Sequence, residues 1–142
     1  MKAKKESAKE LLFCVSYAQR LIRGEELMPW NVIVKKKFSW AHFLTDYHGA
    51  PEPIHGHTWM VEVHIRADKV DAGGMGYDFL EVDAFLRELL PDYRLLNEFV
   101  DFSPSAENMA RWIYHKVKEK YPTVSKVVVW EKKDCGAEYW ED

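Results

Sequence analysis

Cysteine is scarce in this sequence: Cys14 and Cys135 are the only two among 142 residues. Two thiols cannot build a disulfide framework, so the fold must rest on an apolar core. A reducing compartment, the cytoplasm, is the matching expectation. A positive excess is also missing. Lys and Arg number 20 against 23 Asp and Glu, for a formal net charge of −3. That balance argues against nucleic acid as a partner. No apolar run approaches the roughly 20 residues that cross a bilayer, so no membrane partner is expected. Residues 1–10 are charged throughout, and Gln19 and Arg20 interrupt the apolar stretch that follows, which is not the pattern of a signal peptide. Internal repeats and low-complexity segments are absent as well.

Apolar residues are plentiful, at 47%, with aromatics at 14%, which is enough for one globular domain with a sizeable core. Ser7-Ala8-Lys9-Glu10 has the capping-box pattern, and Ala8, Leu11, Leu12, Val15, Ala18 and Ile22 keep helical spacing up to a stop at Gly24. Residues 1–30 therefore read as a helical extension, either an accessory element or a subunit contact, and residues 31–142 as the main domain. Pro29 to Asn31 reads as the connection between them.

In the main domain the period changes. Val32, Val34, Phe38 and Trp40 alternate with Ile33, Lys35, Lys37 and Ser39, the period of two that marks a strand. Trp59, Val61, Val63 and Ile65 alternate with polar residues in a second strand. Gly73-Gly74-Met75-Gly76 is a turn. Asp78 with Glu81 predicts a capped helix whose buried stripe is Val82, Phe85, Leu86 and Leu89, ended by Pro91. Ser103-Pro104 predicts the opening of another helix, with Met109, Trp112, Ile113 and Val117 inward. Lys126 to Trp130 reads as a strand, and Ala137 to Trp140 as a short last one. The class is α+β: a four-stranded antiparallel sheet with two helices on one face. Its two open edges invite oligomerisation.

Three histidines stand out. His42 shares the parity of Phe38 and Trp40, and His55 and His57 share that of the second strand's apolar set. Antiparallel pairing would make His42 and His57 neighbours. Three neutral imidazole nitrogens with an open fourth position suit a catalytic zinc ion. Between them runs a turn-rich loop, residues 43–54, of the kind that shapes a pocket. His48, His64 and His115 have no partner in this pattern and read as structural.

Several short stretches occur in a fixed order: Phe38-Ser39-Trp40-Ala41-His42-Phe43-Leu44, His55-Gly56-His57-Thr58-Trp59, Gly74-Met75-Gly76-Tyr77-Asp78-Phe79, Leu96-Asn97, Ser105-Ala106-Glu107-Asn108, and Glu131 followed by Ala137-Glu138-Tyr139. Together they resemble the family of 6-pyruvoyl-tetrahydropterin synthase and of 6-carboxy-tetrahydropterin synthase, the latter from queuosine biosynthesis. The resemblance implies the tunnelling fold, with trimeric rings stacked into a homo-hexamer and sites between subunits. It implies Zn2+ on His42, His55 and His57, and a pterin ring held by the Glu131 carboxylate, which can accept two parallel N–H groups. Glu107 is a second substrate-binding candidate, although the first turn of a helix also suits its charge. A lyase of this type converts dihydroneopterin or its triphosphate into a 6-substituted pterin.

The sequence departs from that family at its proton-transfer groups. Active members usually carry a cysteine four positions before His-Gly-His, where Pro51 stands here, and an Asp-His pair that here reads Asp92-Tyr93. Glu52, beside the vacant cysteine position, is the replacement base; relatives with glutamate there release a 6-hydroxymethyl product, a folate-type outcome. Asp92 is a proton-relay candidate and Tyr93 an acid or oxyanion donor, since a phenol of pKa about 10 is a poor base at neutral pH. Cys135, in the loop after Glu131, could approach the site across an interface, although a family cysteine does not normally sit there. Two other readings stay open: a pterin-binding homologue that has lost the chemistry, and a zinc ion that only staples the strand pair.

Overall fold

The first two strands bury alternate side chains over the stretch that carries the site, and that alternation sets which groups can reach it. A computed structural model describes residues 28–142 and, before them, Gln19. The expected helix of the N-terminal extension lies outside the described residues. Strand β1 (Trp30–His42) starts at Trp30, inside what the sequence suggested as a connection. Val34, Phe38, Trp40 and His42 are buried along it, whereas Lys35 and Lys37 are exposed. Strand β2 (His55–Ala67) buries Trp59, Val61, Val63, Ile65 and Ala67 on the same side. The two pair antiparallel along their full length, from Trp30 opposite Ala67 to His42 opposite His55.

Helix α1 (Phe79–Leu89) is capped by Asp78, whose side chain accepts from the Leu80 N–H, and it buries Val82 and Leu86. A two-residue strand β3 (Arg94–Leu95) leads into the four-residue helix α2 (Leu96–Phe99). Helix α3 (Ala106–Lys120) begins two residues later than the Ser103-Pro104 signal suggested, because Ser105 is the cap and its Oγ accepts from Asn108 N at 3.1 Å. Pro104 is thereby left outside the helix with its carbonyl free of the helical ladder. Trp112 is only partly buried and meets Phe99 edge-on at 5.5 Å, while Met109, Ile113 and Val117 are fully buried. Strands β4 (Val124–Lys132) and β5 (Cys135–Tyr139) complete the chain.

The sheet order is β3-β1-β2-β4-β5, so five strands replace the expected four. The extra one, β3, runs parallel to β1, with Trp40 opposite Arg94 and Ala41 opposite Leu95, which makes the sheet mixed. The helices cover one face, and one continuous core joins them to it: Val82, Leu86, Met109, Ile113 and Val117 against Phe38, Trp59, Val61, Val63, Val127 and Val129. Burying each such side chain contributes roughly 1.5–3 kcal/mol. The exposed ion pairs, such as Arg87 with Asp83 at 2.8 Å, are each worth about 1 kcal/mol or less, so the apolar face and not surface charge holds the layers.

The β4–β5 hairpin depends on one close approach. A Cβ on Gly136 would lie 2.6 Å from the Val129 carbonyl oxygen and 2.9 Å from the Trp130 ring. Backbone cannot yield there without shifting the ladder. Gly136→Ala is expected to cost about 1–3 kcal/mol, as overpacking does. Urea unfolding followed by circular dichroism measures it; an unchanged midpoint would contradict this account of the hairpin.

Candidate metal centre

The antiparallel register brings the ends of β1 and β2 together. It sets His42 directly opposite His55 and puts His57 opposite Trp40, so His57 is the diagonal neighbour of His42 and not its direct partner. Ring centroids lie 4.6 Å apart for His42 and His55, 4.8 Å for His55 and His57, and 5.8 Å for His42 and His57. Glu131, near the end of β4, joins them: one donor atom from each of these four residues lies within 4.8 Å of all the others.

Hydrogen bonds on the far side of two rings fix their tautomers. His42 Nδ1 donates to the Pro104 carbonyl at 2.8 Å, and His55 Nδ1 to the Pro53 carbonyl at 2.9 Å. A carbonyl only accepts, so both Nδ1 atoms carry hydrogen. In neutral rings both Nε2 atoms are then bare lone pairs, and they stand 3.1 Å apart. Two acceptors at that distance repel unless a cation lies between them. A proton is disfavoured at His42, because burial pushes this imidazole below its usual range, against the Pro104 bond and the Glu131 charge that pull it up. His42 is 1% exposed. His57 Nε2 is sealed from water without a hydrogen-bond partner among the described residues, although Glu131 Oε1 is 3.1 Å away out of line. These donors fit a divalent ion: bonds of about 2.0–2.1 Å to tetrahedral zinc set ligands about 3.3 Å apart. The buried Trp59 ring lies edge-on to His42 at 4.8 Å and closes the inner side.

The remaining sequence candidates are placed as follows. Glu52 lies close by, with Oε1 3.9 Å from His55 Nε2. That oxygen also accepts from Leu44 N at 2.9 Å, while Glu52 N donates to the Leu44 carbonyl, so one residue both closes loop 43–54 and faces the imidazoles. At the loop tip His48 and Gly49 both have positive φ, 53° and 100°, the pattern of a type I′ turn. Asp92 Oδ1 accepts from Ser39 N at 2.6 Å and Tyr93 N at 3.0 Å, and no hydrogen bond or ion pair joins it to the imidazoles. Tyr93 sits at φ 54° and is 83% exposed. It lines, with His57, Thr58 and Arg94, a hollow of about 600 Å³. Glu107 is exposed in the first turn of α3 and has no hydrogen-bond or ion-pair partner among the described residues. Cys135 is an exposed free thiol at the start of β5, a strand away from the imidazoles.

A second hollow, of about 660 Å³, also has His57 in its lining and is edged by Lys35, Lys37, Lys132 and Lys133 around Trp130. Lys35 is paired with Glu62 at 3.5 Å; the other three have no carboxylate partner among the described residues. The sequence showed no decisive basic cluster near the motifs, because Lys35 and Lys37 stand far along the chain from Lys132 and Lys133 and only the sheet brings them together.

Residues 31–142 match the family model of 6-pyruvoyl tetrahydropterin synthase. The chain belongs to that family. A 6-carboxy-5,6,7,8-tetrahydropterin synthase of Synechocystis is 31% identical over 120 residues, covering 78% of this chain and 93% of the relative. The enzyme of the same name from Haemophilus influenzae is 26% identical over 138 residues, covering 76% and 98%. Among solved structures, 6-pyruvoyl tetrahydropterin synthase of Caenorhabditis elegans superposes with a TM-score of 0.68 at 24% identity, over 81% of this chain and 98% of that one. A Plasmodium vivax 6-pyruvoyltetrahydropterin synthase, solved with its catalytic glutamate replaced by alanine, superposes at 0.60 with 15% identity over 80% of this chain and 98% of that one. These two likenesses establish the fold.

For a synthase-family chain with this donor set, purified protein is expected to bind about one divalent ion per chain. His42→Ala or His57→Ala is expected to weaken binding by two orders of magnitude or more, on the order of the loss of one inner ligand. Competition against a chromophoric chelator reads both, and equal affinity in wild type and His42→Ala would contradict the assignment.

Proposed function

We propose that this chain is a zinc-dependent, pterin-forming lyase acting on dihydroneopterin or its triphosphate. The observation that carries the reading is the group of three imidazoles with Glu52 and Glu131 at its border. A zinc ion on His42, His55 and His57 would act as a Lewis acid toward oxygens of the substrate side chain and acidify the neighbouring C–H groups.

The protein's own groups then divide the work. Glu52 is the proton acceptor. Its Oε1 is held by Leu44 N, whereas Oε2 has no hydrogen-bond partner among the described residues, so a positioned carboxylate oxygen remains available. Tyr93 is the candidate proton donor; its hollow borders His57 and otherwise the Ser39, Ala41 and Thr58 face of the sheet. Asp92 holds the Tyr93 backbone and the β1 edge together through one oxygen, and its role is to place that donor. Two carboxylates compete to hold the pterin's amino and ring N–H groups. Glu131 stands with Oε1 3.1 Å from His57 Nε2, and Glu107 has no hydrogen-bond or ion-pair partner among the described residues; the fourth zinc position stays open for the substrate. Lys37, Lys132 and Lys133 edge a hollow that meets the site at His57, so their ammonium groups favour a substrate whose phosphates extend past the end of the sheet. Assembly as a homo-hexamer of two stacked trimers belongs to the same reading, since a neighbouring subunit would cover exposed Tyr93 and Glu107. With glutamate as the base, the 6-hydroxymethyl product is the expected one; the named glutamate of the Plasmodium vivax synthase supports a carboxylate in this role.

A second reading has its own observation. Pro51 and Tyr93 stand where active relatives are expected to carry cysteine and histidine, so a pterin-binding protein without turnover is the rival. Product-resolved chromatography after incubation with dihydroneopterin triphosphate separates them. Turnover that stops with a chelator and falls about 10²–10⁴-fold in Glu52→Gln, with KM little changed, is the expected result. Tight pterin binding with no product from any dihydroneopterin phosphate, or turnover indifferent to Glu52→Gln, would overturn it. The triple variant Lys37→Ala, Lys132→Ala, Lys133→Ala is expected to raise KM for the triphosphate at least about tenfold and leave KM for unphosphorylated dihydroneopterin unchanged. Equal effects on both substrates would remove the phosphate role.

A further inference from the structure

Leu96-Asn97 and Asn108 belong to the ordered motifs, and their side chains take no part in the proposed chemistry. Asn97 lies on the short helix α2 directly after β3. Its side-chain amide makes two reciprocal bonds with one residue: Phe43 N donates to Asn97 Oδ1 at 3.0 Å, and Asn97 Nδ2 donates to the Phe43 carbonyl at 2.9 Å. Phe43 immediately follows His42. The β3–β1 ladder pairs Arg94 with Trp40 and Leu95 with Ala41 and then ends. Asn97 continues it with a side-chain amide in place of a peptide group, just past the metal-binding histidine. Buried Leu96 anchors the helix that carries it.

The other side of His42 is held in the same manner. Its Nδ1–H points at the Pro104 carbonyl, and Pro104 stands between two fixed serines. Asn108 Nδ2 donates to the Ser103 carbonyl at 3.0 Å, Thr45 N donates to Ser103 Oγ at 3.1 Å, and Ser105 caps α3. So one asparagine fixes the backbone that carries His42, and the other fixes the segment whose carbonyl sets its tautomer. Neither amide makes a hydrogen bond to an imidazole.

We propose that Asn97 is a positioning residue for the metal centre, acting on His42 through the Phe43 backbone, with Asn108 as its counterpart behind Pro104. The proposal rests on the metal reading above. Partners of this kind, one step removed from the metal, change metal affinity about 10–100-fold when removed. The single polar clamp on Phe43 at the site's edge gives Asn97 the larger share.

The test uses full-length protein loaded with cobalt(II), whose visible absorption reports ligand geometry. Wild type, Asn97→Ala and the isosteric Asn97→Asp are compared; Asp keeps the acceptor for Phe43 N and sets a carboxylate oxygen against the Phe43 carbonyl. The expected result is a 10–100-fold loss of cobalt affinity by chelator competition and an altered cobalt spectrum in both variants, on the order given for such partners. The melting temperature of the metal-free protein should change less than that of the loaded protein. If Asn97→Ala does not fold, Asn97→Asp alone decides. A metal-free melting temperature that falls while affinity and spectrum stay as in wild type makes Asn97 merely structural and overturns the proposal. Variants identical to wild type in every readout overturn it too. Wild type that takes up no cobalt overturns the metal reading and this proposal together, whereas cobalt uptake equal in wild type and variants sinks the Asn97 role alone.

Discussion

Two imidazole lone pairs facing each other at 3.1 Å are the constraint to which the rest of this structure answers. Each ring has its hydrogen committed to a backbone carbonyl behind it, so neither neutral ring can donate across the gap. Burial of His42, closed on its inner side by Trp59, disfavours a proton on that ring. A cation that both rings ligate resolves the conflict, and His57 Nε2, also without a hydrogen-bond partner among the described residues, turns toward the same space. A polar cluster selected for stability alone would pair donors with acceptors; this one withholds them.

The scaffold makes that arrangement affordable. An unpaired buried nitrogen costs about 1–3 kcal/mol, a loss that a single large core can absorb. The apolar face shared by β1, β2, β4 and the helices α1 and α3 supplies that core. It also fixes the register, because a slip of one residue would turn Phe38, Trp40 and His42 out to solvent. Where the backbone ladder ends, side chains take over. Asp92 begins the pairing along the outer edge of β1 at Ser39, and Asn97 finishes it at Phe43. The same carboxylate of Glu52 that ties loop 43–54 shut stands beside His55. Structure and candidate chemistry therefore share residues, which couples the loop's closure to the geometry of the metal donors.

Much of this was legible in the residues themselves. Alternation placed His42, His55 and His57 on the buried parity, and Val82 and Leu86 of α1 and Met109, Ile113 and Val117 of α3 followed from helical spacing, whereas Phe85, Leu89 and Trp112 are only partly buried. Parity, however, says nothing of register. His42 meets His55 and not His57 because the loop closes as its own small hairpin, through Glu52 and a tight turn at His48-Gly49, and that length is not written in the strand pattern. Strand β3 is two residues long, too short for any period to show. The start of α3 moved because a serine hydroxyl at Ser105 outcompeted the proline signal at Pro104. The carbonyls of Pro53 and Pro104 that set the tautomers are backbone groups, and no side-chain pattern can announce them. Asn97 and Asn108 were visible as motif letters, but their role needed the partners that only the fold supplies.

X-ray absorption at the metal edge, on protein purified without a chelator and before any reconstitution, tests the central claim most directly. Three nitrogen scatterers with imidazole multiple scattering at about 2.0–2.1 Å, plus one or two oxygen ligands, is the expected shell for zinc. A shell of oxygen or sulfur ligands without imidazole, or protein that carries no metal and binds none on addition, would contradict it.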